Sequence, residues 1–123
     1  MSKHRVLVVE DDRYGSEVVM RMLRHREIEA DIAATAEQAL TLLGQNEYSL
    51  VITDLALPKM DGWGLLATIR QNPKTQDLPV VAITAFHDAK VAREALEAGF
   101  KAYFSKPLYV TFVDEIDRIL SSL

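Results

Sequence analysis

Short apolar runs that stop at a polar residue recur along this chain and govern what it can fold into. Val6-Leu7-Val8-Val9 ends at Glu10-Asp11, and Leu50-Val51-Ile52-Thr53 ends at Asp54. Val80-Val81-Ala82-Ile83 ends at Thr84, and Ala102-Tyr103-Phe104-Ser105 ends at Lys106. Apolar runs of this length, alternating with helical patterns, mark parallel strands buried on both faces. In an open α/β sheet, ligands gather outside the carboxyl ends of the strands. Residues far apart in sequence are therefore expected on one rim of one sheet. Clustered acids, a hydroxyl and a lysine on that rim point to a cation and a phosphoryl group.

Five strand–helix units follow from the pattern. Strands are expected at 5–9, 29–33, 49–54, 79–84 and 101–105, and helices at 13–26, 36–44, 63–71, 88–98 and 110–120. Val18, Val19, Met22 and Leu23 give the first helix an inward stripe at helical spacing. Thr35 and Gln38 form a capping box that opens the second helix. Gly44 is expected to close that helix as a left-handed cap, and Gly99 to close the fourth. Tyr109, Phe112, Val113, Ile116 and Leu120 are expected to be mainly core on one side of the fifth helix, with Tyr109 or Phe112 also able to reach a partner surface. Arg21, Arg24, His25 and Arg26 read as a solvated basic end of the first helix or as a docking surface. The βα repeat gives a parallel sheet covered by helices on both faces, a three-layer, flavodoxin-like sandwich. Right-handed crossovers and the doubly wound strand order 2-1-3-4-5 make strands 1 and 3 neighbours. Asp11 and Asp54 then stand side by side, Thr84 is one strand over, and Lys106 is two strands away. That is roughly 10 Å at about 4.8 Å per strand, a gap most of which a lysine stem can cover.

Other readings of the chain fall away on composition. At 123 residues and 49% hydrophobic it fits one domain, residues 1–123, with a real core. It has no cysteine, which excludes disulfides, thiolate metal sites and a cysteine nucleophile. A net charge of −4 gives no basic footprint for nucleic acid. No apolar run approaches the length of a membrane span or a signal-peptide core, so a cytoplasmic protein is expected.

Clustered carboxylates repel one another, and a bound cation relieves the repulsion. Oxygen-only ligands favour Mg²⁺, Mn²⁺ or Ca²⁺ over zinc. Asp54 could act as a nucleophile, since carboxylates form aspartyl-phosphates. Phosphoryl transfer needs positioning and charge neutralisation above all. A cation on Glu10 and Asp11, with Lys106 and Thr84, would supply both. Singly, each of these residues has a plainer explanation as a turn former, a helix cap or a strand residue. Their combination is what argues for chemistry.

The chain resembles the receiver domain of two-component response regulators, in its single-domain form. The matching pieces are Val8-Val9-Glu10-Asp11-Asp12, Asp54 followed by Pro58-Lys59-Met60-Asp61-Gly62, Ile83-Thr84-Ala85, and Lys106-Pro107. Together they cover essentially the whole chain. The resemblance implies that Asp54 is the phosphoacceptor, modified by a phosphohistidine on a histidine kinase or histidine phosphotransfer protein. It implies Mg²⁺, with Mn²⁺ as a substitute, bound by Asp11, by Glu10 through water, by Asp54 and by the backbone carbonyl of Ala56. Thr84 and Lys106 would hold the phosphoryl oxygens, Ala85 would keep that group accessible, and Lys106-Pro107 would be cis. Tyr103 would turn inward with Thr84 as a switch, changing how the face of helix 4, strand 5 and helix 5 binds a downstream protein. The same resemblance leaves a monomer or a phosphorylation-dependent dimer open.

Glu10 stands where an aspartate is commoner, Asp12 is expected outside the cation's first shell, and Ala56 and Phe86 occupy positions that tune dephosphorylation. Three other functions compete with this one. A flavin-binding protein of similar architecture would need a Ser/Thr/Gly-rich phosphate loop after strand 1, where this chain has three acids. An aspartate-nucleophile phosphatase carries a second aspartate two residues after the nucleophile, where this chain has Ala56. The chain is therefore not expected to be an enzyme acting on external substrates; its chemistry would be self-phosphotransfer and autodephosphorylation. The third is a receiver that binds partners constitutively without phosphorylation.

Overall fold

A computed structural model describes residues 4–123. The strands are β1 (Arg5–Val9), β2 (Glu29–Ala33), β3 (Leu50–Asp54), β4 (Val80–Thr84) and β5 (Ala102–Ser105). The helices are α1 (Arg13–His25), α2 (Ala36–Gln45), α3 (Gly62–Gln71), α4 (Ala89–Ala98) and α5 (Val110–Ser121). All four pairings are parallel, and the strand order is β2-β1-β3-β4-β5, as the sequence pattern requires.

The unbroken apolar runs are explained by a sheet with a core on each face. Successive strand residues point to opposite faces. In β1, Leu7 and Val9 enter one core while Val6 and Val8 enter the other. The first core is closed by Ala36 and Ala39 of α2, Leu65, Leu66 and Ile69 of α3, and Ala95 of α4. The second is closed by Val19 and Leu23 of α1 and by Phe112, Val113, Ile116, Ile119 and Leu120 of α5. A strand with a helix layer on both sides has no polar face, so β1, β3 and β4 carry almost no polar residue before their last position.

The helix starts are set by short polar side chains. Asp12 accepts from the Gly15 amide at 3.1 Å, and Asp61 from the Gly64 amide at 2.9 Å. Asp88 accepts from the Lys90 amide at 2.7 Å. Thr35 accepts from the Gln38 amide at 3.0 Å, while the Gln38 side chain reaches back to the Ala34 amide at 2.8 Å. The bonds from Gly15, Gly64, Lys90 and Gln38 satisfy amides that the first helical turn leaves without a partner, and the Ala34 bond ties the residue before the cap to the helix.

Three local expectations fail, each for a visible reason. Gly44 is not a left-handed cap: α2 runs past it to Gln45 and ends at Asn46, whose backbone is extended and whose amide donates to Leu42. The left-handed cap that does occur unforeseen is Glu27 (φ 57°), which closes α1 as Ile28 N–H reaches the Leu23 carbonyl and Glu27 N–H the Arg24 carbonyl. Gly99 closes α4 in the same way, as expected, at φ 115°. Tyr109 is 67% exposed rather than core, because α5 begins after it. Arg26 is half-buried rather than a freely solvated end: it caps α1 and forms ion pairs with Asp114 and Asp117, tying α1 to α5, while Arg21, Arg24 and His25 are exposed as expected.

Candidate functional site

Every strand end named by the sequence meets the same rim. Val9, Thr53 and Ala82 lie in register across β1, β3 and β4, and Thr84 pairs with Ser105 of β5. The residues that follow are thereby delivered to one place. Glu10 stays fixed to the sheet through its amide, which donates to the Ala33 carbonyl at 3.0 Å. Lys106 does so through its amide and the Thr84 carbonyl at 2.7 Å. The Lys106–Pro107 bond is cis.

Asp54 is the last residue of β3 and is 6% exposed. One carboxylate oxygen accepts from the Ala56 amide at 2.9 Å, and the other from Lys106 Nζ at 2.8 Å. The lysine stem thus crosses the gap of two strands. Its ammonium also pairs with Glu10 Oε1, bridging both carboxylates. Asp11 joins them from the exposed side: single oxygens of Glu10, Asp11 and Asp54 lie within 4.8 Å of one another.

Glu10 carries the electrostatic strain of this cluster. Its side chain is wholly buried, and Oε2 has no hydrogen-bond partner. Burial pushes its pKa up to about 7, the Asp54 carboxylate adds to the rise, and the Lys106 ammonium opposes it. Burial works to lower the Lys106 pKa, but its two carboxylate partners outweigh this and raise it. The donor set is oxygen-only, three acids converge, and one buried acceptor is unsatisfied. These residues fit a hard divalent cation.

The remaining predicted residues surround this core. Thr84 is 4% exposed, and its hydroxyl oxygen accepts from the Phe86 amide at 3.1 Å. Ala56 and Ala85 are exposed. Phe86, at 77% exposure, stands at the rim. Asp12 is occupied as the α1 cap, outside the carboxylate cluster. Gly62 explains the tight return of the loop after β3. A Cβ there would lie 2.5 Å from the Asp54 carbonyl oxygen and 2.9 Å from Leu55 Cα, so only glycine lets α3 start against the Asp54 backbone.

Tyr103 is half-buried, and its hydroxyl is 3.4 Å from His87 Nδ1, with ring centroids 5.9 Å apart. Sequence alone gives His87 no role. Its position three residues after Thr84 carries no signal until β4 and β5 are paired. The Ala56 amide, which orients Asp54, was equally invisible, because a backbone donor leaves no mark in sequence.

Comparison with known proteins agrees with this geometry. The family model for the response regulator receiver domain matches residues 6–115. The rice two-component response regulator ORR8 is 30% identical over 121 residues, spanning 98% of this chain and all of its own length. The transcriptional regulatory protein PmrA of Pectobacterium parmentieri is 37% identical over 107 residues. That match takes in 87% of this chain but 47% of PmrA, so this chain spans about half the length of that relative. In three dimensions, a candidate response regulator from Chloroflexus aurantiacus superposes with a TM-score of 0.91 at 33% identity, covering 98% of this chain and 99% of that one. The chain belongs to the family of two-component response-regulator receiver domains.

Proposed function

We propose that the chain is a phosphorylation-controlled switch in which Asp54 accepts a phosphoryl group from a partner phosphohistidine. Receiver domains accept phosphoryl groups from histidine kinases and generally use Mg²⁺. The observation that carries the reading is the convergence of Glu10, Asp11, Asp54 and Lys106 at one rim, with Asp54 as the acceptor at its centre.

In this reading an Asp54 carboxylate oxygen attacks phosphorus, the phosphorus–nitrogen bond of the donor breaks, and an acyl phosphate forms. The Ala56 amide holds one Asp54 oxygen in place. Lys106 already contacts Asp54 and turns to neutralise the arriving phosphoryl oxygens. The Thr84 hydroxyl oxygen is occupied as an acceptor by the Phe86 amide, which leaves its hydrogen to donate to a phosphoryl oxygen. Glu10, Asp11, Asp54 and the Ala56 carbonyl would hold Mg²⁺, or Mn²⁺ in its place. Such an ion supplies charge neutralisation for the phosphoryl oxygens. The chain modifies itself rather than turning over external substrates, since Ala56 stands where a phosphatase would carry a general acid. The encounter with the donor belongs to the cytoplasm.

Transfer would draw Thr84 toward the phosphoryl group and Tyr103 away from His87 into the space behind it. The face of α4, β5 and α5 would then change its affinity for a downstream protein. A Tyr103→Ala protein that phosphorylates normally and binds its target unchanged would remove Tyr103 from the account.

Intact mass after incubation with Mg²⁺ and acetyl phosphate tests the proposal. One added phosphoryl group, absent from Asp54→Asn and from a sample with EDTA, is the expected result. No adduct, together with no beryllofluoride complex, would instead favour a receiver that binds its partners constitutively.

A further inference from the structure

We propose that Gly15 is a positioning residue for the Glu10 carboxylate, and that the missing side chain at position 15 is the room into which this acid reaches. The proposal rests on the phosphoacceptor reading above, because it concerns the same cation site.

Position 15 lies in the first turn of α1. Glycine inside a helix costs about 1 kcal/mol relative to alanine. The backbone there does not adopt a left-handed conformation, so no turn requires the glycine. Space does. A Cβ on residue 15 would lie 2.6 Å from Glu10 Oε1 and 3.4 Å from Glu10 Cδ. The first separation is closer than Cβ atoms approach, and something must give.

The atom in the way is the far end of a side chain, not backbone, so the fold can accommodate an alanine. The Glu10 carboxylate cannot do so freely. Its side chain is fully buried, paired to Lys106 and one corner of the three-carboxylate cluster. Any retreat from a Cβ at position 15 moves Oε1 away from the place where Lys106 and the cation site need it. An aspartate at position 10 is one methylene shorter and would not extend into this space. The residue at 15 is therefore coupled to the length of the acid at 10: a glutamate requires glycine, and an aspartate does not.

A second contact must be separated from the first. The same Cβ would sit 3.2 Å from Asp12 Oδ2, the α1 cap. That effect is present whichever acid occupies position 10, so a comparison between the two backgrounds cancels it.

The test is Mg²⁺ affinity by titration calorimetry on the whole chain, with thermal unfolding in EDTA alongside. Wild type, Gly15→Ala, Glu10→Asp and the double variant are compared. Gly15→Ala is expected to weaken Mg²⁺ binding by about tenfold, in the range for displaced groups that orient metal ligands. Unfolding in EDTA reads the cost of displacing Glu10 from Lys106 apart from the cation, and affinities are compared at a temperature where every variant is folded. Adding Gly15→Ala to Glu10→Asp should change the Mg²⁺ Kd by less than about twofold, the scatter of independent sites. Unchanged Mg²⁺ binding in Gly15→Ala, or equal losses in both backgrounds, would overturn the proposal while leaving the phosphoacceptor reading intact. Wild-type protein that binds no Mg²⁺ at all would overturn both.

Discussion

Glu10 shows how one side chain sets the pH response of the site. Burial and the neighbouring Asp54 raise its pKa from 4.5 to about 7 against the pull of Lys106. The folded state therefore holds this proton more tightly than the unfolded chain does. The stability it contributes is fully present below about pH 4.5 and is lost as the pH rises to about 7. A neutral glutamine never acquires the buried charge. The Glu10→Gln protein should thus gain on wild type as the pH rises between those values, and the gap should stay level above them. Urea midpoints measured in EDTA across that range check this, and a gap that did not change with pH would contradict it. At this scale the sequence was informative where a residue type carries its own chemistry: Glu10, Asp11, Asp54, Thr84 and Lys106 all stand at the predicted rim. It was silent where the role depends on what lies across the fold. Nothing in the sequence links Arg26 to Asp114 and Asp117, His87 to Tyr103, or Gly15 to Glu10.

Among the elements, α2 separates helix propensity from helix capping. Gly44 invites reading as a stop signal because glycine so often follows the last helical turn. Here Asn46 ends the helix instead, donating to Leu42 from its backbone amide at 2.9 Å and from its side-chain amide at 3.3 Å. Gly44 is thus an interior helical residue with no atom within 4 Å of a built Cβ. A Gly44→Ala substitution should stabilise the protein by about 0.5–1 kcal/mol through helix propensity and a less flexible unfolded chain. Chemical denaturation reads this directly; a loss of stability would mean that Gly44 has a role the helix does not reveal. The contrast with Glu27 is instructive. A left-handed glutamate cap cannot be recognised from residue type, and it arises because Leu23 and Ile28 are both drawn into the core. Boundaries elsewhere were legible to within a residue, since the strands are buried on both faces and the caps at Asp12, Thr35, Asp61 and Asp88 are short polar side chains.

For the whole molecule, topology is what turns scattered residues into a site. The order β2-β1-β3-β4-β5 places β1 beside β3, so the acids after β1 meet Asp54, and Lys106 reaches back across two strands. That order was legible because parallel strands with helical crossovers leave few alternatives. The surroundings of Tyr103 were less so. Tyr103 lies against His87 at a half-buried edge, a contact between loop and strand that only the closed fold creates. This convergence is proposed to make Asp54 the phosphoryl acceptor. The most direct measurement is peptide mapping after Mg²⁺-dependent phosphorylation and borohydride reduction, which converts an aspartyl-phosphate to homoserine. The account predicts homoserine at position 54 alone, and none when Mg²⁺ is chelated. Homoserine at Asp11 or Asp12 with residue 54 unmodified, or modification that persists in EDTA, would contradict it.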